Sequence, residues 1–103
     1  MPGVDAIFTA LADERRREVV ELLAARGGAT PTELARDLPV TRQAVAKHLA
    51  ALQDAGLVEV TRSGREARYA LTPAPLTDAV AWIEQVGSQW DDRLAALKRH
   101  LEP

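Results

Sequence analysis

The sequence predicts a mainly α-helical domain with one β-hairpin, in the order α-α-α-α-β-β-α. The spacing of the apolar residues carries this prediction. Up to Ala55 they recur every three or four positions, which is the period of a helix buried on one face. From Leu57 to Leu71 they alternate with other residues, as in paired strands, and the helical period then returns until Leu101.

Two helices are expected before the first pair of glycines. Asp13 is a good N-cap for the second helix. Gly27 and Gly28 end that helix, because glycine accepts the left-handed conformation of a C-cap. The first helix spans about residues 4–12. Its apolar face consists of Val4, Ile7, Phe8 and Leu11.

The third and fourth helices are separated by a proline. Residues 30–33, Thr-Pro-Thr-Glu, predict a helix start with threonine as N-cap, proline at the first position and glutamate completing a capping box. Pro39 stops this short helix. Thr41 caps a fourth helix that runs to about Ala55, where Gly56 ends it. The apolar stripe of the fourth helix consists of Val45, Leu49 and Leu52.

A β-hairpin with its turn at Ser63-Gly64 is predicted next, followed by a long helix. The alternation on the first strand rests on Val58 and Val60. The second strand continues it with Ala67, Tyr69 and Leu71. Prolines at 73 and 75 are expected to break this strand, so the last helix is placed from about residue 76 to residue 101.

The third and fourth helices match a helix-turn-helix, and the hairpin would be its wing. In such units the second helix enters the major groove of DNA, where its exposed N-terminal residues meet base edges. Arg42 suits guanine, Gln43 suits adenine, and Lys47 suits a phosphate. The hairpin arginines can reach phosphates or the minor groove. The residues expected to contact DNA are Thr30, Thr32, Thr41, Arg42, Gln43, Ala46, Lys47, His48, Arg62, Arg65 and Arg68.

Three alternatives remain open for these residues. Three arginines on a hairpin can form a solvated face without binding anything. A winged helix can also serve as a protein–protein interaction module. His48 lies beside the apolar stripe, so a partly buried hydrogen-bonding role competes with a phosphate contact.

Composition and charge narrow the function classes. The chain has 103 residues and no cysteine, which excludes a disulfide framework, a thiolate metal site and a cysteine nucleophile. The net charge of −2 does not suggest nucleic-acid binding. Residues 40–70, however, hold five basic and three acidic side chains, a local charge of +2 on an acidic remainder. A local charge of +2 attracts phosphate only modestly, so DNA binding is predicted to depend on dimerisation and to be sensitive to salt.

Three segments resemble the ArsR/SmtB family of winged-helix transcriptional repressors. They are residues 10–17 (Ala-Leu-Ala-Asp-Glu-Arg-Arg-Arg), residues 41–58 with their recognition-helix pattern, and the wing 62–71. Together they span roughly residues 7–72. The resemblance implies a homodimer that binds an operator with dyad symmetry in double-stranded DNA and represses transcription. The operator and any small-molecule or protein effector are not implied.

The sequence departs from the metal-sensing members of this family. Those members place paired thiolates at the start of the third helix, where this chain has Thr30 and Thr32. Others bind zinc on the last helix, where this chain has a single histidine, His100, and zinc needs three or four ligands. Residues 75–94 resemble the corresponding segment of the ArsR/SmtB members that do not sense metals. No metal and no cofactor are therefore expected.

A long apolar seam on the last helix predicts a dimer surface. The seam is too long for a domain of this size to cover alone, and the short first helix is the second candidate surface. Trp82 and Trp90 are the strongest anchors, unless both serve as intramolecular cover. A two-fold interface is self-complementary. The residues expected in it are Ile7, Phe8, Leu11, Ile83, Val86, Trp90, Leu94 and Leu97.

The remaining features predict one non-enzymatic domain over residues 1–103, with dimerisation helices at both ends. Asp91 and Asp92 are adjacent on a helix and point in different directions, so they form no catalytic pair. Gly27-Gly28 lacks the pattern of a phosphate-binding loop. Neither a secretory signal nor a membrane-spanning stretch is visible, which predicts a soluble cytoplasmic protein without membrane contact.

Overall fold

A computed structural model describes residues 2–101 of the protein. The elements follow the predicted order, and the two strands form an antiparallel hairpin. This order confirms the predicted fold class. The elements are α1 (Pro2–Leu11), α2 (Glu14–Arg26), α3 (Pro31–Asp37), α4 (Arg42–Asp54), β1 (Val58–Ser63), β2 (Glu66–Leu71) and α5 (Pro73–Leu101).

The predicted caps of α2, α3 and α4 are confirmed. The Asp13 carboxylate accepts a hydrogen bond from the Arg16 N–H at 3.1 Å, and Thr41 Oγ1 accepts one from the Ala44 N–H at 3.1 Å. At α3 the capping box is complete, since Thr30 and Glu33 each accept a hydrogen bond from the other's backbone N–H. The starts of α2, α3 and α4 are therefore each set by hydrogen bonds between residues three positions apart.

The two carboxylates in these caps, Asp13 and Glu33, are expected to make folding stability depend on acid pH. Hydrogen bonds from the backbone N–H groups of Arg16 and Thr30 lower the pKa values of Asp13 and Glu33 from 3.8 and 4.5, respectively. A carboxyl group with a lowered folded-state pKa contributes stability above its unfolded pKa and loses it as pH falls through the folded value. We therefore expect these groups to leave the free energy of unfolding level above about pH 5 and to lower it at more acidic pH.

Asp13→Asn tests this dependence, because asparagine still caps a helix but does not titrate. Urea unfolding at fixed protein concentration, from about pH 3 to about pH 7, should show a smaller acid decline than in the wild type. Glu84→Gln, which alters an exposed carboxylate on α5, is the matched control. An acid decline that is unchanged in Asp13→Asn contradicts the assignment.

The first helix spans Pro2–Leu11 where about residues 4–12 are predicted, and the start of the last helix and the hairpin turn also differ from expectation. The last helix begins at Pro73, because the first turn of a helix has no intrahelical acceptor for its N–H groups and two prolines there cost no hydrogen bond. The register pairs Ser63 with Glu66, so the two-residue turn is Gly64-Arg65. Gly64 has a φ of 61°, as the first central residue of a type II′ hairpin turn requires.

The core lies between α1, α2, α3, α4, the base of the hairpin and the start of α5. Val45, Leu49 and Leu52 of α4 are fully buried, which confirms the predicted stripe. Side chains of this size contribute about 1.5–3 kcal/mol each when buried. Because one face of α4 is anchored in this way, the opposite face is held toward solvent. The other fully buried large side chains are Ile7, Val19, Leu23, Leu34 and Leu57.

Among residues 2–101, none of the helices combines the length and the apolar character that crossing a membrane requires.

Candidate nucleic-acid interface

The exposed face of α4 carries the predicted base-reading residues. Val45 and Leu49 point into the core, so the residues between and before them are turned outward. All of the predicted contacts at the start of α4 except His48 are exposed: Thr41, Arg42, Gln43, Ala46 and Lys47. The start of α4 therefore presents a short polar ridge with two cations.

A basic groove runs beside this ridge. Its volume is about 530 Å³, and it lies between the start of α3, the start of α4 and the tip of the hairpin. Four arginines and two glutamates line it, so its charge is positive. The lining residues are Thr30, Pro31, Thr32, Glu33, Arg36, Arg42, Arg62, Arg65, Glu66 and Ala67.

Arg36 is the groove arginine that is absent from the predicted DNA contacts. It is exposed on α3, while Leu34, two positions earlier, is fully buried. Two positions on a helix are about 200° apart, so the burial of Leu34 turns Arg36 outward. The position of Arg36 opposite the apolar face of α3 is the sequence signal for its exposure. In the folded chain, Arg36 and Arg42 line the same groove.

The three hairpin arginines are placed differently. Arg62 and Arg65 line the groove. Arg68 does not line it. Its Nη1 lies 3.3 Å from Glu33 Oε1, so this guanidinium is engaged by a carboxylate of α3.

Thr30, Thr32 and His48, three further predicted DNA contacts, differ in exposure and in hydrogen bonding. Thr32 is exposed at the edge of the groove, whereas Thr30 Oγ1 already accepts the Glu33 N–H. His48 is half-buried and does not line the groove. A Coulombic effect of His48 is among the smaller causes that lower the pKa of Asp13, the N-cap of α2.

Comparison with known proteins identifies this arrangement. A family model described as a helix-turn-helix domain matches residues 11–61. The solved structure of an ArsR-like transcriptional regulator from Rhodococcus sp. RHA1 is 44% identical, with a TM-score of 0.86, and the match covers 98% of this chain and 94% of that chain. The chain belongs to the ArsR family of winged helix-turn-helix transcriptional regulators.

Two relatives from Bacillus subtilis are also described as transcriptional regulators. An uncharacterized HTH-type transcriptional regulator of Bacillus subtilis, YuzN, is 42% identical over 87 residues, covering 78% of this chain and 95% of YuzN. The transcriptional repressor SdpR of the same species is 26% identical over 88 residues, 85% of this chain and 97% of SdpR. Members of this family regulate transcription through a DNA-binding domain and are not enzymes, as the sequence predicts.

The homodimeric winged helix-turn-helix domain Mb0332 of Mycobacterium bovis is a further structural neighbour. It is 26% identical with a TM-score of 0.67, and the match covers 85% of this chain and 81% of that chain.

This ArsR-family chain carries a second distinctive surface on α1 and α5. Every exposed large apolar side chain recorded for residues 3–100 belongs to one of these two helices. Trp90 is 60% exposed and Leu97 54%. The set consists of Phe8, Val80, Trp82, Ile83, Val86, Trp90, Leu94 and Leu97. We call it the apolar strip.

Three residues that were predicted to line or anchor the interface make contacts within the chain. Ile7 is 2% exposed and packs in the core of the chain, and Leu11 is half-buried against that core. Trp82 contacts its own Phe8 edge-to-face, with ring centroids 5.6 Å apart. Trp82 therefore joins α1 to α5 within one protomer while its remaining surface lies on the strip.

The far part of α5 extends beyond the rest of the fold. Every side chain from Ala81 to His100 is exposed. The described residues measure 70 × 24 × 21 Å with a radius of gyration of 18.5 Å, against about 13 Å for a compact chain of this length. A helix with an apolar strip and no intramolecular cover needs an apolar partner.

Metal-ligating side chains are not clustered in the described part of the chain. Among residues 2–101, no three His, Asp or Glu side chains come together in a way that could hold a metal ion.

Proposed function

We propose that this chain is a homodimeric repressor that binds an operator with dyad symmetry. The observation that carries the proposal is the basic groove beside the exposed start of α4. Support for a dimer comes from the apolar strip and from the neighbouring Mb0332 domain, whose description calls it homodimeric. Support for repression comes from the relative SdpR, named a transcriptional repressor.

The ridge and the groove suit two different parts of DNA. The exposed α4 start enters the major groove, where Arg42 and Gln43 read base edges. The arginine-lined groove takes the sugar–phosphate backbone beside it, since phosphate contacts position a protein without reading sequence. Thr32 and Lys47 are both exposed, and in the proposal they add further phosphate contacts.

Dimerisation gives the proposed complex its symmetry. In the proposal, α1 and α5 act as dimerisation helices at the ends of one winged domain, and the apolar strips of two copies face each other across a two-fold axis. Two α4 helices would then meet successive major grooves, about 34–36 Å apart. The operator would accordingly consist of two inverted half-sites.

We propose further that the protein does not respond to metals through the family's known sites. The chain lacks cysteine, and Thr30 and Thr32 stand where thiolates would be needed. Thr30 is occupied in the capping box. A hydroxyl also binds soft metals poorly. The proposal predicts that zinc, cadmium and arsenite leave operator affinity unchanged.

Arg65→Ala and Arg36→Ala should weaken binding to every DNA sequence by the same factor. Each removes one arginine of the groove, and a lost phosphate contact lowers the slope of log affinity against log salt by about 0.9. Fluorescence anisotropy with operator and unrelated DNA over a salt series measures both quantities. Arg99→Ala is a control, because it removes an equal charge from the far end of α5.

Recovery of genomic DNA bound to the protein tests the whole function. Sequencing of the recovered fragments should reveal inverted half-sites, and a reporter placed behind such a site should be less active when the protein is present. If no fragment binds at low salt and a protein partner is recovered instead, the chain is a winged-helix protein-binding module and the proposal is wrong.

A further inference from the structure

The Glu33 carboxylate joins two elements of the proposed DNA-binding surface. Its Oε1 accepts the Thr30 N–H at 2.9 Å, which caps α3, and also accepts a hydrogen bond from Arg68 Nη1 at 3.3 Å. Arg68 lies on β2, 35 positions away in sequence. One oxygen thus links the start of α3 to the hairpin.

Backbone contacts beside this ion pair hold the same two elements together. Ala29, just before α3, exchanges two hydrogen bonds with Tyr69, at 2.9 and 2.8 Å. A Cβ on Gly28 would lie 3.4 Å from the Tyr69 carbonyl oxygen, so the two chain segments approach closely. Arg68 therefore acts at the point where the hairpin is docked onto α3.

The hairpin register separates Arg68 from the groove arginine Arg62. Arg62 pairs with Ala67, and Thr61 pairs with Arg68. Since directly paired residues share a face and successive residues alternate, Arg62 and Arg68 lie on opposite faces of the hairpin. Arg62 lines the groove with Arg65, whereas Arg68 turns to Glu33.

We propose that Arg68 is a positioning residue that sets the wing against α3 by pairing with Glu33, and that it makes no phosphate contact. The inference rests on the proposed function, because its consequence is the placement of Arg62 and Arg65 on the DNA backbone. It reassigns one of the three hairpin arginines that the sequence analysis grouped together.

The first test compares Arg68→Ala with Arg65→Ala in DNA titrations over a salt series. Arg68→Ala should weaken binding about two- to fivefold, as expected for loss of an exposed ion pair, with an unchanged salt slope. Arg65→Ala should lower the slope by about 0.9. A slope lowered equally by Arg68→Ala shows that Arg68 binds phosphate and overturns the proposal.

Glu33→Gln supplies the matched variant for a double-mutant cycle. Glutamine at this position still completes a capping box but lacks the charge that Arg68 meets. If Arg68 acts through Glu33, Arg68→Ala should have little further effect in the Glu33→Gln background. An equal or larger effect in that background contradicts the proposal.

Amide hydrogen exchange tests the same contact without DNA. In Arg68→Ala and in Glu33→Gln, the Ala29 and Tyr69 amides should exchange about two- to fivefold faster, while Leu49 in α4 stays unchanged. Unchanged exchange at Ala29 and Tyr69 overturns the positioning role. Failure of the wild type to bind any DNA refutes the proposed function instead, and the exchange result then decides the Arg68–Glu33 contact independently.

Discussion

Trp90→Ala is expected to leave the protein monomeric at micromolar concentration and to abolish tight operator binding. Trp90 is the most exposed large apolar side chain of the apolar strip, at 60%. A tryptophan of this kind buries about 150–250 Å² when a partner covers it. Removing such an anchor costs about 2–4 kcal/mol in protein interfaces.

Trp90→Ala should weaken binding to the full operator more than it weakens binding to a single half-site. A dimer binds two half-sites at once, and linking two binding events raises the overall affinity by roughly 10²–10⁴. A monomer that keeps an intact α4 should therefore bind single half-sites as the wild-type chain does, but lose this gain on the full operator. Sedimentation velocity and DNA titrations with full and half operators measure the two outcomes.

Gln85→Ala is the matched control for Trp90→Ala. Gln85 is exposed on α5, and its position places it about 140° from the centre of the apolar strip on the helix circumference. The Gln85→Ala protein should sediment and bind as the wild type does. If Trp90→Ala remains a dimer with unchanged affinity, Trp90 is not an interface anchor.

Gln43→Ala and Arg42→Ala are expected to relax sequence preference at one base pair each per half-site. Both side chains are exposed at the start of α4, the part of a recognition helix that meets base edges. A bidentate contact discriminates against the wrong base by about 1–3 kcal/mol. Selection of binding sites from a randomised DNA pool should lose one preferred position in each half-site for each variant.

The groove variants distinguish base reading from phosphate binding. Arg65→Ala should weaken binding to all selected sequences equally and leave the preferred bases unchanged. If Gln43→Ala and Arg65→Ala reduce affinity uniformly for every sequence, α4 does not read bases through Gln43.

Local sequence determined most of the fold, because the contacts concerned lie within a few residues. The caps at Asp13, Thr30 and Thr41 each use a partner three positions away, and the α4 stripe repeats within one helix. Prediction of the start of α5 was wrong for an equally local reason. Prolines 73 and 75 do follow the strand, but proline is also well suited to the first turn of a helix, so the helix begins at the first of them.

Composition and spacing also predicted where the exposed basic and apolar surfaces lie, but tertiary structure decided what the individual residues contact. The basic segment, the exposed start of α4 and the seam of α5 could all be predicted from the chain alone. The opposite fates of Arg65 and Arg68 could not, because Glu33 reaches Arg68 only after the hairpin docks onto α3. Whether Ile7 faces the core or a partner depends likewise on how α1 packs. The periodicity of a sequence determines which residues share one face of a helix or strand. Which residues or partner that face contacts depends on how the elements pack in the folded protein.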